Sequence, residues 1–228
     1  MTRPLILDLY CGAGGAAKGY YDAGFDVLGV DSIPQNRYPY RFVNMDALEF
    51  MERQLTSKYP YDIVAIHASP PCQHYSKTKF MNPDRIGSHP DLIEPTRELL
   101  IKTGLPYIIE NVMGAPLINP VKLCGSHFNL TTIWEPHGTV GLRRHRLFET
   151  NFPVPDPGVH DHKIRAVPVY GHGSGNSKSR LKGRGCAKAQ REVMQIDWMR
   201  RPELDQAIPP AMTRYIGEHL MRHLNVVN

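Results

Sequence analysis

The 228-residue chain contains no apolar run approaching the ~20 residues that a membrane-spanning helix requires, so a membrane protein is not expected. Its first residues, Met1-Thr2-Arg3-Pro4, lead directly into a strand pattern, and no secretory leader is expected. Cysteine is sparse and scattered. Cys11, Cys72, Cys124 and Cys186 form no Cys-x-x-Cys pair, which argues against a zinc ribbon and against a disulfide framework. A reducing, cytoplasmic setting is therefore expected. Internal repeats and coiled-coil heptads are missing as well. Acidic residues are outnumbered, 22 against 27 Lys and Arg, and the resulting net charge of +5 suits a polyanionic partner.

What is present is an alternation. Leu5-Ile6-Leu7-Asp8-Leu9 reads as a short buried strand ending in the glycine turn Cys11-Gly12-Ala13-Gly14-Gly15. A helix is expected from Ala16 to Ala23, stopped by Gly24, and a second strand from Phe25 to Asp31. Asp46 opens a helix to about Ser57, with Ala47, Leu48, Phe50, Met51 and Leu55 on its apolar stripe. Asp62 to Ile66 is a strand, 74–91 a long polar loop, Leu92 to Thr103 a helix closed by Gly104, and Pro106 to Asn111 a strand. This order predicts an α/β, doubly wound, Rossmann-like sheet over residues 1–150. Residues 151–202 read as a small loop-rich basic insertion, in which 151–186 has too little apolar material for a core of its own and Ala187 to Met199 is helical. Residues 203–228 return to the first domain, with Pro209-Pro210 before a helix from Ala211 to Leu224.

The chemistry-bearing residues fall at strand ends. In Ser69-Pro70-Pro71-Cys72-Gln73 two prolines can continue neither a helix nor a central strand, so Cys72 is held where open α/β sheets place their chemistry. A buried structural cysteine in a Pro-rich loop is the alternative. Asp31, Asp46, Cys72 and Glu110 mark four strand ends that converge on one crevice. The glycines at 12, 14 and 15 let backbone amides approach a ligand closely. Asp31 is placed to bind ribose hydroxyls, and Asp46 to accept from an adenine amino group or, equally, to cap a helix. His160-Asp161-His162 resembles a fragment of a metal-ligand cluster, but it has no partner motif and no metal is expected. His172, His219 and His223 read as surface or packing histidines, Cys11, Cys124 and Cys186 as structural, and Trp134 and Trp198 as packing residues.

Five segments together resemble the DNA (cytosine-5) methyltransferase family in a short, phage-like form. Asp8-Leu9-Tyr10-Cys11-Gly12-Ala13-Gly14-Gly15 is similar to the family's first motif, with Tyr10 where Phe is usual. Pro70-Pro71-Cys72-Gln73 is similar to the catalytic motif and Glu110-Asn111-Val112 to the Glu-Asn-Val motif. Arg144-His145-Arg146 matches both arginines of the Gln-x-Arg-x-Arg motif, whose Gln is Leu142 here. Ala207-Ile208-Pro209-Pro210 resembles the last motif, with Asp205-Gln206 in place of its Gly-Asn. The resemblance covers residues 4–150 and 203–224 and implies a methyltransferase of Rossmann-like fold acting on double-stranded DNA with its cytosine flipped out.

The roles implied are specific. Cys72 is the nucleophile on C6, Glu110 the acid at N3, and Arg144 and Arg146 contact the base and favour thiolate. S-adenosyl-L-methionine is the implied donor, held by Asp8, Tyr10, Gly12, Ala13, Gly14, Gly15, Asp31, Asp46, Pro71, Gln206 and Ile208. Gln73, Ser76, Lys77 and Lys79 are placed to touch nucleic acid. Lys178, Arg180, Lys182 and Arg184 lie in a basic Gly-rich stretch that suits phosphate contact better than base reading. A monomer is expected, in the bacterial host cytoplasm if phage-encoded. Two other readings stay open: an RNA cytosine-5 methyltransferase using the same chemistry, and a catalytically silent nucleic-acid-binding module.

Overall fold

In a computed structural model, the structure describes residues 2–56, 61–71, 91–135, 137–169 and 186–227. The main sheet has seven strands in the order β3-β2-β1-β4-β5-β9-β6. These are β1 (Leu5–Leu9), β2 (Asp26–Asp31), β3 (Arg41–Asn44), β4 (Ile63–Ala68), β5 (Tyr107–Asn111), β6 (Val121–Cys124) and β9 (His145–Thr150). The first five pair in parallel, and β9 runs antiparallel between β5 and β6. A second sheet, β10-β8-β7, contains β7 (Thr131–Trp134), β8 (Gly138–Gly141) and β10 (Arg165–Ala166). The expected α/β doubly wound class is the one observed. No helix among the described residues is long and apolar enough to cross a membrane.

Strand alternation explains why both faces of the main sheet are covered. Ile6, Val27, Ala65, Ile108 and Phe148 join one buried cluster with Ala17 and Tyr20 of α1 (Gly15–Asp22) and Met212, Ile216 and Leu220 of α6 (Pro210–Val227). Leu5, Leu7, Leu9, Leu28, Val30, Ile66 and Ile109 face the other way. They bury against Phe50 and Met51 of α2 (Ala47–Thr56) and Leu100 of α3 (Ile93–Thr103). Two-sided burial is why these strands are near-continuous apolar runs.

The C-terminal helix is fitted to α1 at glycine. A Cβ on Gly19 would lie 2.1 Å from Thr213 Oγ1 and 2.2 Å from Pro210 O, so the two helices meet backbone to backbone. Thr213 Oγ1 also donates to Ala16 O.

Beyond residue 150 the structure corrects one expectation. The helix expected from Ala187 to Met199 stops early, as α4 (Cys186–Met194), and a separate helix, α5 (Arg201–Gln206), begins beyond that span. Gln195, at φ 55, takes the left-handed conformation that ends α4. The region also contributes to a core. Val167, Val169, Ala189, Val193, Met194, Ile196 and Met199 bury with Leu130, Trp134, Val140 and Leu142 from before the expected boundary at 150. Scattered apolar residues become a core here because β7 and β8 supply the other half.

Candidate active site

The strand order reverses between the parallel strands β1 and β4, and the strand ends at that point open the crevice where doubly wound sheets bind ligands. Asp8, His67 and Glu110 sit near the C-terminal ends of β1, β4 and β5, on the face that packs against α1 and α6, and all are buried. Asp8 and His67 are direct register partners. A polar row in an otherwise apolar face needs its own hydrogen bonds.

The row is a directed chain. Tyr20 of α1 lies 2.8 Å from His67 Nδ1, and His67 Nε2 lies 2.8 Å from Ser69 Oγ. Burial holds His67 neutral, with its pKa pushed down to about 3, and keeps the Tyr20 phenol protonated. The Ser69 hydroxyl in turn bonds the Glu110 carboxylate. One orientation satisfies every group: Tyr20 O–H donates to Nδ1, Nε2–H donates to Ser69, and Ser69 O–H donates to Glu110. The chain terminates on the carboxylate as its acceptor.

Glu110 is 5% exposed, and Arg146 Nε lies 2.8 Å from its Oε1. That oxygen has charge contact but no well-directed hydrogen bond among the described residues. Burial pushes the Glu110 pKa up, against the opposing pull of Arg146, Ser69 and Arg144. Arg144, two residues before Arg146 in the chain, donates to Val169 O at 3.2 Å and to Asp205 O at 2.7 Å, tying β9 to the region around α5. Asn111, 1% exposed, donates from Nδ2 to Pro70 O at 2.9 Å, and its Oδ1 accepts from Val112 N–H. The chain leaving β4 is thereby fixed against the end of β5 as far as Pro71. The predicted residues Cys72, Gln73, Ser76, Lys77, Lys79, Lys178, Arg180, Lys182 and Arg184 lie outside the described residues.

The glycine turn is cradle on one side and packing on the other. Gly12 has φ +50, and nothing lies within 4 Å of where its Cβ would be, so its backbone is open to a ligand. A Cβ on Gly15 would meet Ile208 O at 2.5 Å, which brings the last motif against the first. Gly14 packs on Pro39 and Tyr38, and Ala13 O accepts from Trp198 Nε1 at 2.9 Å.

Asp31 accepts from Gly12 N–H at 3.0 Å through Oδ2 and from Ile33 N–H at 2.9 Å through Oδ1, and each oxygen keeps a further lone pair. Asp46 caps α2, with Leu48 and Glu49 N–H both donating to Oδ1. Tyr10, at φ 56, bonds Thr96 through its hydroxyl. Asp8 lies beneath this surface: Tyr38 O–H donates to its Oδ2 at 3.3 Å, and its Oδ1 has no partner among the described residues. Burial raises its pKa to about 8. Ile208 is buried and Gln206 exposed at the end of α5.

Tyr20, His67 and Ser69 are the candidate-site residues that sequence reasoning missed; Trp198 packs against a core cluster, as expected. For His67 the available signal was a titratable residue extending an apolar strand run.

No protein-family model matches the chain. The chain is similar to the type II methylase M.HgiDII of Herpetosiphon aurantiacus, 35% identical over 80 residues, 32% of this chain and 23% of that protein. Three solved structures are similar over nearly the whole chain. One is a candidate DNA modification methyltransferase encoded within a prophage of E. coli (TM-score 0.62, 15% identity, 97% of this chain and 99% of that one). The second is S. pombe Dnmt2 methyltransferase (TM-score 0.57, 13% identity, 98% and 100%). The third is the Entamoeba histolytica methyltransferase EhMeth (TM-score 0.51, 12% identity, 98% and 99%). The fold of the chain is the Rossmann-like fold of these methyltransferases.

Proposed function

We propose that this chain is a DNA (cytosine-5) methyltransferase that uses S-adenosyl-L-methionine and covalent catalysis by Cys72. The observation that carries the reading is Glu110. It is a buried carboxylate with a raised pKa, faced by Arg146, beside the Pro70-Pro71 segment that leads to Cys72. The names of the similar proteins, all methyltransferases or methylases, support it.

The residues fit the donor. Gly12 is open to a ligand, and Asp31 has lone pairs left for ribose hydroxyls. When bound, S-adenosylmethionine supplies an electrophilic methyl on a sulfonium. The Cys72 thiolate forms a bond to C6 of a flipped-out cytosine while Glu110 protonates N3, so the added electron pair is delivered to C5 rather than held as ring charge. C5 then takes the methyl group. Loss of the C5 proton to water expels Cys72 as thiolate and restores the ring, and Glu110 recovers its proton from N3. Arg146 keeps the carboxylate in place throughout, and Ser69 orients it.

Transfer of labelled methyl from the donor to DNA and to RNA, followed by nucleoside mass spectrometry, tests the activity. Label in 5-methylcytosine from DNA is the expected result. Label in RNA alone, or on an exocyclic nitrogen, overturns it. On DNA carrying 5-fluorocytosine, the C5 substituent cannot leave, so wild type is trapped as a covalent adduct and Cys72→Ser is not. Equal trapping of the two proteins removes Cys72 from the mechanism.

A further inference from the structure

We propose that Cys124, His145, His160 and His162 bind one zinc ion in a closed, structural site. The His160–His162 pair has no partner motif in the sequence, but the fold supplies two partners in space. Cys124 ends β6 and His145 begins β9, and the two are direct partners in the antiparallel register. The ligand atoms of all four residues lie within 4.8 Å of one another.

Two of the ligand-to-ligand distances are those of a coordination sphere. Cys124 Sγ lies 3.5 Å from His162 Nε2, and His145 Nε2 lies 3.2 Å from His160 Nε2. Tetrahedral zinc with Zn–S of about 2.3 Å and Zn–N of about 2.0–2.1 Å separates sulfur from nitrogen by roughly 3.5–3.6 Å and nitrogen from nitrogen by roughly 3.3 Å. The three imidazoles form a near-equilateral triangle, with ring centroids 5.3, 5.1 and 5.0 Å apart. One thiolate and three imidazoles make a four-coordinate donor set suited to zinc, with no position left open for a substrate.

The surroundings hold these ligands in place. Ser126 O–H donates to Cys124 Sγ at 3.3 Å, which favours thiolate. His127 accepts from Cys124 N–H at 3.1 Å through Nδ1 and donates from Nε2 to Gly158 O at 3.1 Å, so it links β6 to the segment carrying the two loop histidines. Arg143 donates to His162 O at 2.7 Å from the other side. The Asp161 carboxylate takes Lys163 N–H and the Lys163 ammonium, leaving the ion to its neighbours. An ion here staples residues 158–162 to the edge strand β6 and to its neighbour β9 beside Arg146, whose Nη1 donates to His145 O. The site and its test are independent of the methyl-transfer reading.

Untagged protein purified from zinc-supplemented cells should carry about one zinc per chain by elemental mass spectrometry. Cobalt exchanged into the chelator-stripped protein should show the intense visible bands of a tetrahedral ion and a thiolate-to-cobalt charge-transfer band. Cys124→Ser should lose the charge-transfer band. His162→Gln, on an exposed segment, should fold and bind zinc at least ~100-fold more weakly, beyond the ~10–100-fold cost of losing an outer-shell partner. Protein that holds no zinc and gives no tetrahedral cobalt spectrum overturns the site. So does a His162→Gln variant that binds zinc as tightly as wild type.

Discussion

Strand β9 carries two Arg–Glu ion pairs within four residues, and they are built differently. Glu149 takes Arg97 of α3 in a two-pronged contact, Nε to Oε1 at 2.8 Å and Nη2 to Oε2 at 2.9 Å, and also accepts from Ile118 N–H. Arg97 spends a further donor on Pro116 O. Both side chains are at most 5% exposed, and their charges are answered from several directions. Glu110 and Arg146 meet at a single 2.8 Å contact without a well-directed hydrogen bond, with side chains 7% and 14% exposed at the mouth of the crevice. The first pair fastens α3 to the sheet. The second leaves a carboxylate short of partners and easier to protonate, which suits proton delivery and makes a poor structural tie.

Replacing each glutamate by its amide tests that division, and these are the largest effects expected. Glu149→Gln leaves the buried Arg97 charge answered only by the exposed Glu94 carboxylate, and unfolding by denaturant should show a loss of up to about 3–5 kcal/mol. Glu110→Gln should change stability far less, because it removes a carboxylate whose burial opposed its charge. It should cut methyl transfer by roughly 10²–10⁴ while donor binding persists. A stability loss at Glu110→Gln equal to that at Glu149→Gln would erase the distinction.

Asp8 extends the comparison to a buried carboxylate with no cation against it. Its pKa rises from 3.8 to about 8, mainly through burial, with Asp31 and Glu110 adding repulsion against the bond from Tyr38. Between those values the folded chain holds a proton that the unfolded chain has lost, so stability falls as pH rises. One such proton is worth up to about 1.4 kcal/mol per pH unit. The effect is absent below pH 3.8 and complete above about 8. Asp8→Asn, which keeps an acceptor for Tyr38, should remove that slope. Denaturant midpoints of wild type and variant should therefore diverge from pH 4 to 8 in favour of the variant. Parallel curves would mean that Asp8 is not held protonated.

Most of the first half of the fold was legible because buried parallel strands are apolar runs punctuated by glycine. Leu5–Leu9 and Tyr107–Asn111 are of this kind, and Gly104 closes α3 at φ +67 as its position predicted. Arg41–Asn44 escaped notice as an edge strand with no buried residue. Thr131–Trp134 and Gly138–Gly141 are short and half-exposed, and the second begins and ends in glycine, so neither period nor composition marked them. At the candidate site, motif order singled out Glu110, Arg144 and Arg146. Their supports were not: His67 is joined to Tyr20 across 47 residues, and Arg97 to Glu149 across 52. The Cys124 and His145 pair depends on an antiparallel register that no local spacing records.

The smallest effect expected separates the two halves of Glu110's environment, Arg146 on one side and Ser69 on the other. Ser69 bonds the charged form of Glu110 and so holds its pKa down against burial. Ser69→Ala removes that donor and leaves His67 Nε2–H without its acceptor, at a cost of about 1–3 kcal/mol if nothing replaces it. Ser69 is only half-buried, so water can enter, and the loss should fall at or below the lower end. The sharper readout is the pKa. With one of its lowering contacts gone, Glu110 should titrate higher than in wild type, and the alkaline limb of the pH–rate profile that reports its protonated form should move up. An unshifted limb, with Glu110 still required for turnover, would assign the tuning of the carboxylate to the arginines and leave the Tyr20–His67–Ser69 chain a packing device.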